Sequence, residues 1–134
     1  FDRIVATSPV RAQIVLTGPV SGEPKAGLLA HASAFVLPSL SEGLPVAALE
    51  ALASGCPTIL TPACHLPEVA ATGAGIEVAP DAAQIAGAIG RLLADPAFSR
   101  ETARRGVQLA RQRFDWQTVG TRMLSLCREV AGMR

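Results

Sequence analysis

Two carboxylates stand eight positions apart in the stretch PSLSEGLPVAALEALASG, residues 38–55: Glu42 in a Ser-Glu-Gly turn and Glu50 inside an otherwise apolar run. An ionised carboxylate in a dry interior is costly without donors, so Glu50 calls for hydroxyl groups, a cation or water. Either it meets a ligand, or it points to solvent on the helix face it shares with Ala47 and Ser54. Glu42 has a similar pair of readings: a ligand contact, or a carboxylate interacting with the positive end of the helix just ahead of it. Pro45 suits a first helical position, where its missing N–H costs nothing. The Gly43 and Leu44 N–H groups would then be free at a positive helix end, a natural place for phosphate or sugar hydroxyls. Gly55 is placed to close the helix in a left-handed cap.

Other reactive side chains form no comparable set. Cys56, Cys64 and Cys127 lack ligand spacing, and no Ser-His-Asp arrangement or metal site can be assembled. The odd thiol count suits a reducing cytosol. His31 precedes an apolar run and reads as structural or solvent-facing, whereas His65 lies in a loop better placed for a ligand. Glu68 reads equally well as a first-turn acid of a short helix, and Trp116 as core packing.

These residues need elements to hold them. Four short apolar runs bounded by Gly, Pro, Ser or Thr read as buried strands: Ala12 to Gly18, Ser33 to Ser39, Cys56 to Thr61 and Gly75 to Pro80. Helical patterns fall at Lys25 to Ala32, Pro45 to Ser54 and a single turn from Pro67. Strand and helix in alternation predict an α/β fold, a parallel sheet with helices on both faces. Beyond Pro80 the pattern is all helix. Asp81 with Gln84 opens one over Asp81 to Ala94, Ser99 to Arg113 forms a basic one, and Asp115 caps a last one from Trp116. In such a sheet, ligands gather beyond the carboxyl ends of the strands, where TGPVSGE, PSLSEG, TPACHLPE and APDA lie.

Composition sets bounds. The 134 residues make one domain, 49% hydrophobic and 17% charged, with 12 basic against 11 acidic residues. A net charge of +1 supplies no global field for nucleic acid or an anionic membrane. The arginines at 100, 104, 105, 111 and 113 read as a solvated helix face rather than as an anionic-lipid or nucleic-acid patch, since no aromatics are interleaved. No apolar run approaches membrane-spanning length.

The segment PSLSEGLPVAALEALASGCPTILT resembles the donor site of GT-B-fold glycosyltransferases, nearest the retaining family 4 (group 1) enzymes. The shared pattern is a strand ending in Pro-Ser, a Glu-Gly turn, seven residues between two glutamates, then Glu-Ala, a Gly, a Pro and a strand. IVLTGPV, LLAHASAFVLPS, LPEVAATGAGIEVAP and FDWQTV resemble the family's surrounding elements, so the likeness covers nearly the whole chain. It implies a Rossmann-like sheet, the C-terminal half of a GT-B fold, ending in two or three consecutive helices. It also implies that Glu50 hydrogen-bonds the ribose of a nucleotide diphosphate-sugar and that Glu42 lies near the transferred sugar. Backbone N–H groups of Gly43, Leu44 and Val46 would meet sugar hydroxyls or diphosphate. Ser39 and Thr61 are weaker binding candidates that could equally serve as turn hydroxyls.

The implied reaction is sugar transfer to an acceptor hydroxyl with retention, no bound metal and no cofactor beyond the donor. The family's diphosphate-binding cations and acceptor-binding domain have no counterpart here, and Lys25 is not promoted to that role. The expectation is therefore a partial domain, inactive alone, from a cytoplasmic enzyme that could associate peripherally with the inner face of a membrane. A parallel sheet lacking its first strands is expected to self-associate. Two other readings compete. A GT-B nucleotide-sugar epimerase would need acid and base groups not found here, and a non-catalytic nucleotide-binding or interaction module would lack the two-glutamate turn.

Overall fold

A computed structural model describes residues 2–132. Its elements, in chain order, are α1 (Asp2–Ala6), a 3-10 turn (Arg11–Gln13), α2 (Gly22–His31), β1 (Phe35–Leu37), α3 (Val46–Ala53) and β2 (Thr58–Leu60). There follow a 3-10 turn (Pro62–Cys64), α4 (Pro67–Ala71), β3 (Gly75–Glu77), α5 (Ala82–Ala94), α6 (Pro96–Arg113) and α7 (Trp116–Val130). The strands form one parallel sheet in the order β1-β2-β3, with Phe35 opposite Thr58 and Thr58 opposite Gly75.

Alternation along the strands divides the core in two, because successive side chains point to opposite sheet faces. Leu37 and Leu60 pack with Leu52 of α3, Val69 of α4 and Leu109 of α6. Val36, Ile59 and Ile76 pack on the other face against Ala88, Ile89 and Leu92 of α5. The expected α/β architecture, helices on both faces and three consecutive helices at the end, is what forms. Gly75 marks the tightest point: a Cβ there would lie 2.6 Å from both the Thr58 carbonyl oxygen and Val69 Cγ1.

Helix ends follow their local chemistry. Asp81 accepts from the Gln84 N–H, Asp95 from the Ala97 and Phe98 N–H groups, and Asp115 from the Gln117 N–H. Because Asp95 caps directly onto Pro96, α6 begins three residues before the expected Ser99. Gly55, at φ +72°, ends α3 with paired bonds from Gly55 N–H to the Leu52 carbonyl and from Cys56 N–H to the Ala51 carbonyl.

Two expectations about strands and core fail. Ala12 to Gly18 is not a strand: after Arg11–Gln13 the chain runs irregularly and joins no ladder, and Val15 is 81% exposed. An apolar run becomes a strand only where a neighbour's backbone pairs with it, and here the sheet ends at β1. Trp116 is not core: it is 87% exposed, on a helix that buries none of its residues. Among the described residues, no helix is long and apolar enough to cross a membrane.

Candidate active site

The chain leaves β1 at Leu37, passes through Ser39 and Glu42, and enters α3 at Val46, so both glutamates follow the carboxyl end of a parallel strand. Hydrogen bonds lock this turn to the next strand end. Ser39 Oγ donates to Glu42 Oε1 at 2.6 Å, and Thr61 Oγ1 donates to the Ser39 carbonyl at 2.6 Å. The Glu42 N–H donates to the Ala63 carbonyl at 3.1 Å. Cys64 Sγ reaches back to the Leu37 carbonyl at 3.6 Å. Thr61 is 1% exposed, so its hydroxyl is a buried tie between the ends of β1 and β2.

Ser39 and Thr61 thus both act as turn hydroxyls, and Ser39 also touches a site carboxylate. Pro45 sits at the cap position rather than at the first helical residue, with φ −77° and ψ 77°. That geometry folds the Val46 N–H onto the Leu44 carbonyl at 2.9 Å. Of the three amides expected to face a ligand, Val46 is therefore engaged, while those of Gly43 and Leu44 have no backbone acceptor among the described residues. Leu44 is 59% exposed, consistent with an open shelf at the start of α3.

Glu50 lies in the second turn of α3, neither buried nor freely solvated. Lys25, in the first turn of α2, donates from Nζ to Glu50 Oε1 at 2.6 Å. The two side chains are 39% and 37% exposed. Sequence spacing gave no sign of this contact, since the partners are 25 positions apart on different helices. Entry to α2 depends on Gly18 and Gly22, which hold φ values of +64° and +61°.

The remaining candidates separate from this group. His31 Nδ1 bonds the Gly27 carbonyl of its own helix at 2.8 Å, a local role. His65 holds a left-handed φ of 53° after the Pro62–Cys64 turn, exposed at the same end of the sheet as Thr61. Glu68 stands in the first turn of α4. Among the described residues, no three His, Cys, Asp or Glu side chains converge as a metal site. Shallow grooves of about 550 Å³ along α6 and about 600 Å³ beside α2 contain neither Glu42 nor Glu50. The candidate site is thus defined by the two carboxylates and the Gly43 and Leu44 amides rather than by a cavity.

Comparison with known proteins identifies the family. The sequence pattern of the family described as "Glycosyl transferases group 1" matches residues 2–95. The chain is 30% identical over 128 residues to an MMP alpha-(1->4)-mannosyltransferase of Mycolicibacterium hassiacum, covering 93% of this chain and 31% of that protein. It is 42% identical over 96 residues to a glycogen synthase of Mycobacterium tuberculosis, covering 70% of this chain and 23% of that protein. The structure superposes on a sucrose-phosphate synthase from Thermosynechococcus elongatus with a TM-score of 0.88 and 28% identity, over 98% of this chain and 33% of that one. The chain thus spans about a third or less of the length of these proteins. By the match across residues 2–95, this chain belongs to the group 1 glycosyl transferases.

Proposed function

We propose that the intact protein transfers a sugar from a nucleotide diphosphate donor to an acceptor hydroxyl, with retention and without a resident metal, as a family 4 enzyme. This chain, which spans about a third of the length of its relatives, is its donor-binding part. The observation that carries the reading is the turn between β1 and α3, in which Glu42 follows the end of a parallel strand and which leads into the helix that carries Glu50. Glu50 accepts ribose hydroxyls. Glu42, with one oxygen already held by Ser39, accepts from the transferred sugar or stabilises positive charge as the glycosidic bond breaks. The Gly43 and Leu44 amides face the diphosphate or sugar hydroxyls, while Val46 shapes the turn through its bond to Leu44.

Three free cysteines, two of them buried, favour the cytosol, with peripheral contact at the inner membrane face compatible with the basic α6. Isolated, the chain self-associates through the unpaired edge of β1, which sedimentation would show as concentration-dependent mass.

Donor titration calorimetry on the intact protein tests the central assignment. A ribose contact acts in ground and transition state alike, so Glu50→Gln should chiefly weaken donor binding. A hydrogen bond to a charged acceptor corresponds to roughly a ten- to hundredfold change in affinity. Unchanged nucleotide affinity in Glu50→Gln would remove the ribose assignment.

A further inference from the structure

The contact between Lys25 and Glu50 joins the first turn of α2 to the second turn of α3, and it is one-sided. Nζ meets Oε1 at 2.6 Å, while Oε2 has no hydrogen-bond partner among the described residues. A carboxylate paired through one oxygen keeps the other as an acceptor. Both groups are more than a third exposed, and pairs of that kind contribute little to stability. Its placement is more informative than its strength. Gly18 and Gly22, both with positive φ, flank the entry to α2, and the Lys25–Glu50 contact sets the first turn of that helix beside α3.

We propose that Lys25 is a positioning residue for nucleotide recognition: it fixes the Glu50 carboxylate so that Oε2 faces the ribose diol. This inference rests on the ribose reading of Glu50. Without Lys25, Glu50 samples several rotamers and must be ordered when nucleotide binds, at the expense of affinity. The loss falls on ligands that have ribose hydroxyls and spares those that lack them. Arginine at position 25 keeps the charge and a donor, whereas methionine keeps the bulk and removes both.

The test uses the intact protein with adenosine, guanosine and uridine diphosphates, each beside its 2′,3′-dideoxy counterpart. Wild type should prefer at least one ribose form over its dideoxy partner by roughly tenfold or more. Lys25→Met should shrink that preference by about three- to tenfold through the ribose form, with dideoxy binding unchanged. Lys25→Arg should restore much of it, and thermal melting should be nearly the same for all three proteins. A clear preference in wild type that persists undiminished in Lys25→Met overturns the positioning role and leaves the ribose reading standing. No preference in wild type for any of the three nucleotides overturns both.

Discussion

Ser39 Oγ donates a 2.6 Å hydrogen bond to Glu42 Oε1, so the last residues of the β1 exit hold the first glutamate in place. The Ser39 carbonyl is in turn held by the buried Thr61 hydroxyl, which ties the arrangement to β2. Orientation of Glu42 is therefore set by two strand ends rather than by the flexible turn alone.

This relationship has a kinetic consequence. On the proposed reading Glu42 lies near the transferred sugar, where charge develops only as the bond breaks, so an oriented Glu42 should act mainly on turnover. In the intact protein, Glu42→Gln should lower kcat by more than it weakens donor binding. Ser39→Ala should do the same more mildly, by roughly tenfold, about the size of one hydrogen bond to a charged group. Steady-state kinetics beside donor titration separates the two effects. A rise in the donor dissociation constant with kcat intact in both variants would assign this pair to ground-state binding instead.

A second prediction concerns the sheet. At Gly75 a methyl group would lie 2.6 Å from the Thr58 carbonyl oxygen and from Val69 Cγ1, and the first of these is ladder backbone that cannot turn away. Gly75→Ala should destabilise the fold by about 1–3 kcal/mol, the usual cost of overpacking. Gly120 offers a control within α7: nothing lies within 4 Å of its Cβ position, and alanine is the better helix former there. Chemical denaturation of the two variants should move in opposite directions. Equal stability for Gly75→Ala and wild type would mean that β3 does not approach β2 this closely.

Much of this architecture was legible because it rests on local chemistry. Asp81 and Asp115 announce two of the last three helices through their own caps, and Gly55 announces the end of α3, whereas the Asp95 cap that starts α6 went unread. The runs at Ser33 to Ser39, Cys56 to Thr61 and Gly75 to Pro80 contain the three strands, though each ladder is only three residues long. What escaped were relationships between distant positions. Ala12 to Gly18 has the composition of a buried strand, but composition cannot say whether a neighbour pairs with it. Trp116 is a residue type usual in cores, yet among the described residues no element covers it. Lys25 meets Glu50, and Thr61 meets Ser39, across 25 and 22 positions, and no periodicity encodes either contact. The glutamates were visible because both lie in one motif, and Ser39 and Thr61 were named as candidates; which groups pair with which was not visible.

Cysteine reactivity gives a third prediction. Cys56 and Cys64 are buried, and burial pushes the Cys56 thiol up from its ordinary value, which disfavours the reactive thiolate. Cys127 is exposed on α7. A thiol reagent under native conditions should therefore label Cys127 rapidly and the other two only as the protein unfolds. Mass spectrometry of the labelled peptides reads this directly. Early modification of Cys64 would mean that the Thr61–Cys64 corner opens in the native state.

The last prediction concerns pH. Glu101 accepts from Arg104 Nε and Nη2, both at 2.8 Å, and from Arg105 Nε at 2.7 Å. These bonds, with Arg104 contributing first and Arg105 second, lower its pKa from 4.5 to about 2. Arg105 Nη1 also reaches the Thr72 carbonyl at 3.3 Å, so the cluster links α6 to the end of α4. A depressed carboxylate stabilises the folded state above its unfolded pKa and loses that contribution as pH falls through the folded value. Here the window runs from about 4.5 down to about 2. Because Glu101 is solvent-exposed, salt should narrow the window. Carboxyl-detected NMR titration should place the Glu101 midpoint near 2 at low ionic strength. With both Arg104→Ala and Arg105→Ala in place, the midpoint should return towards 4.5. A wild-type midpoint already in the ordinary carboxylate range would show that the two arginines do not hold Glu101 in solution, and the link to α4 through Arg105 would lose its anchor.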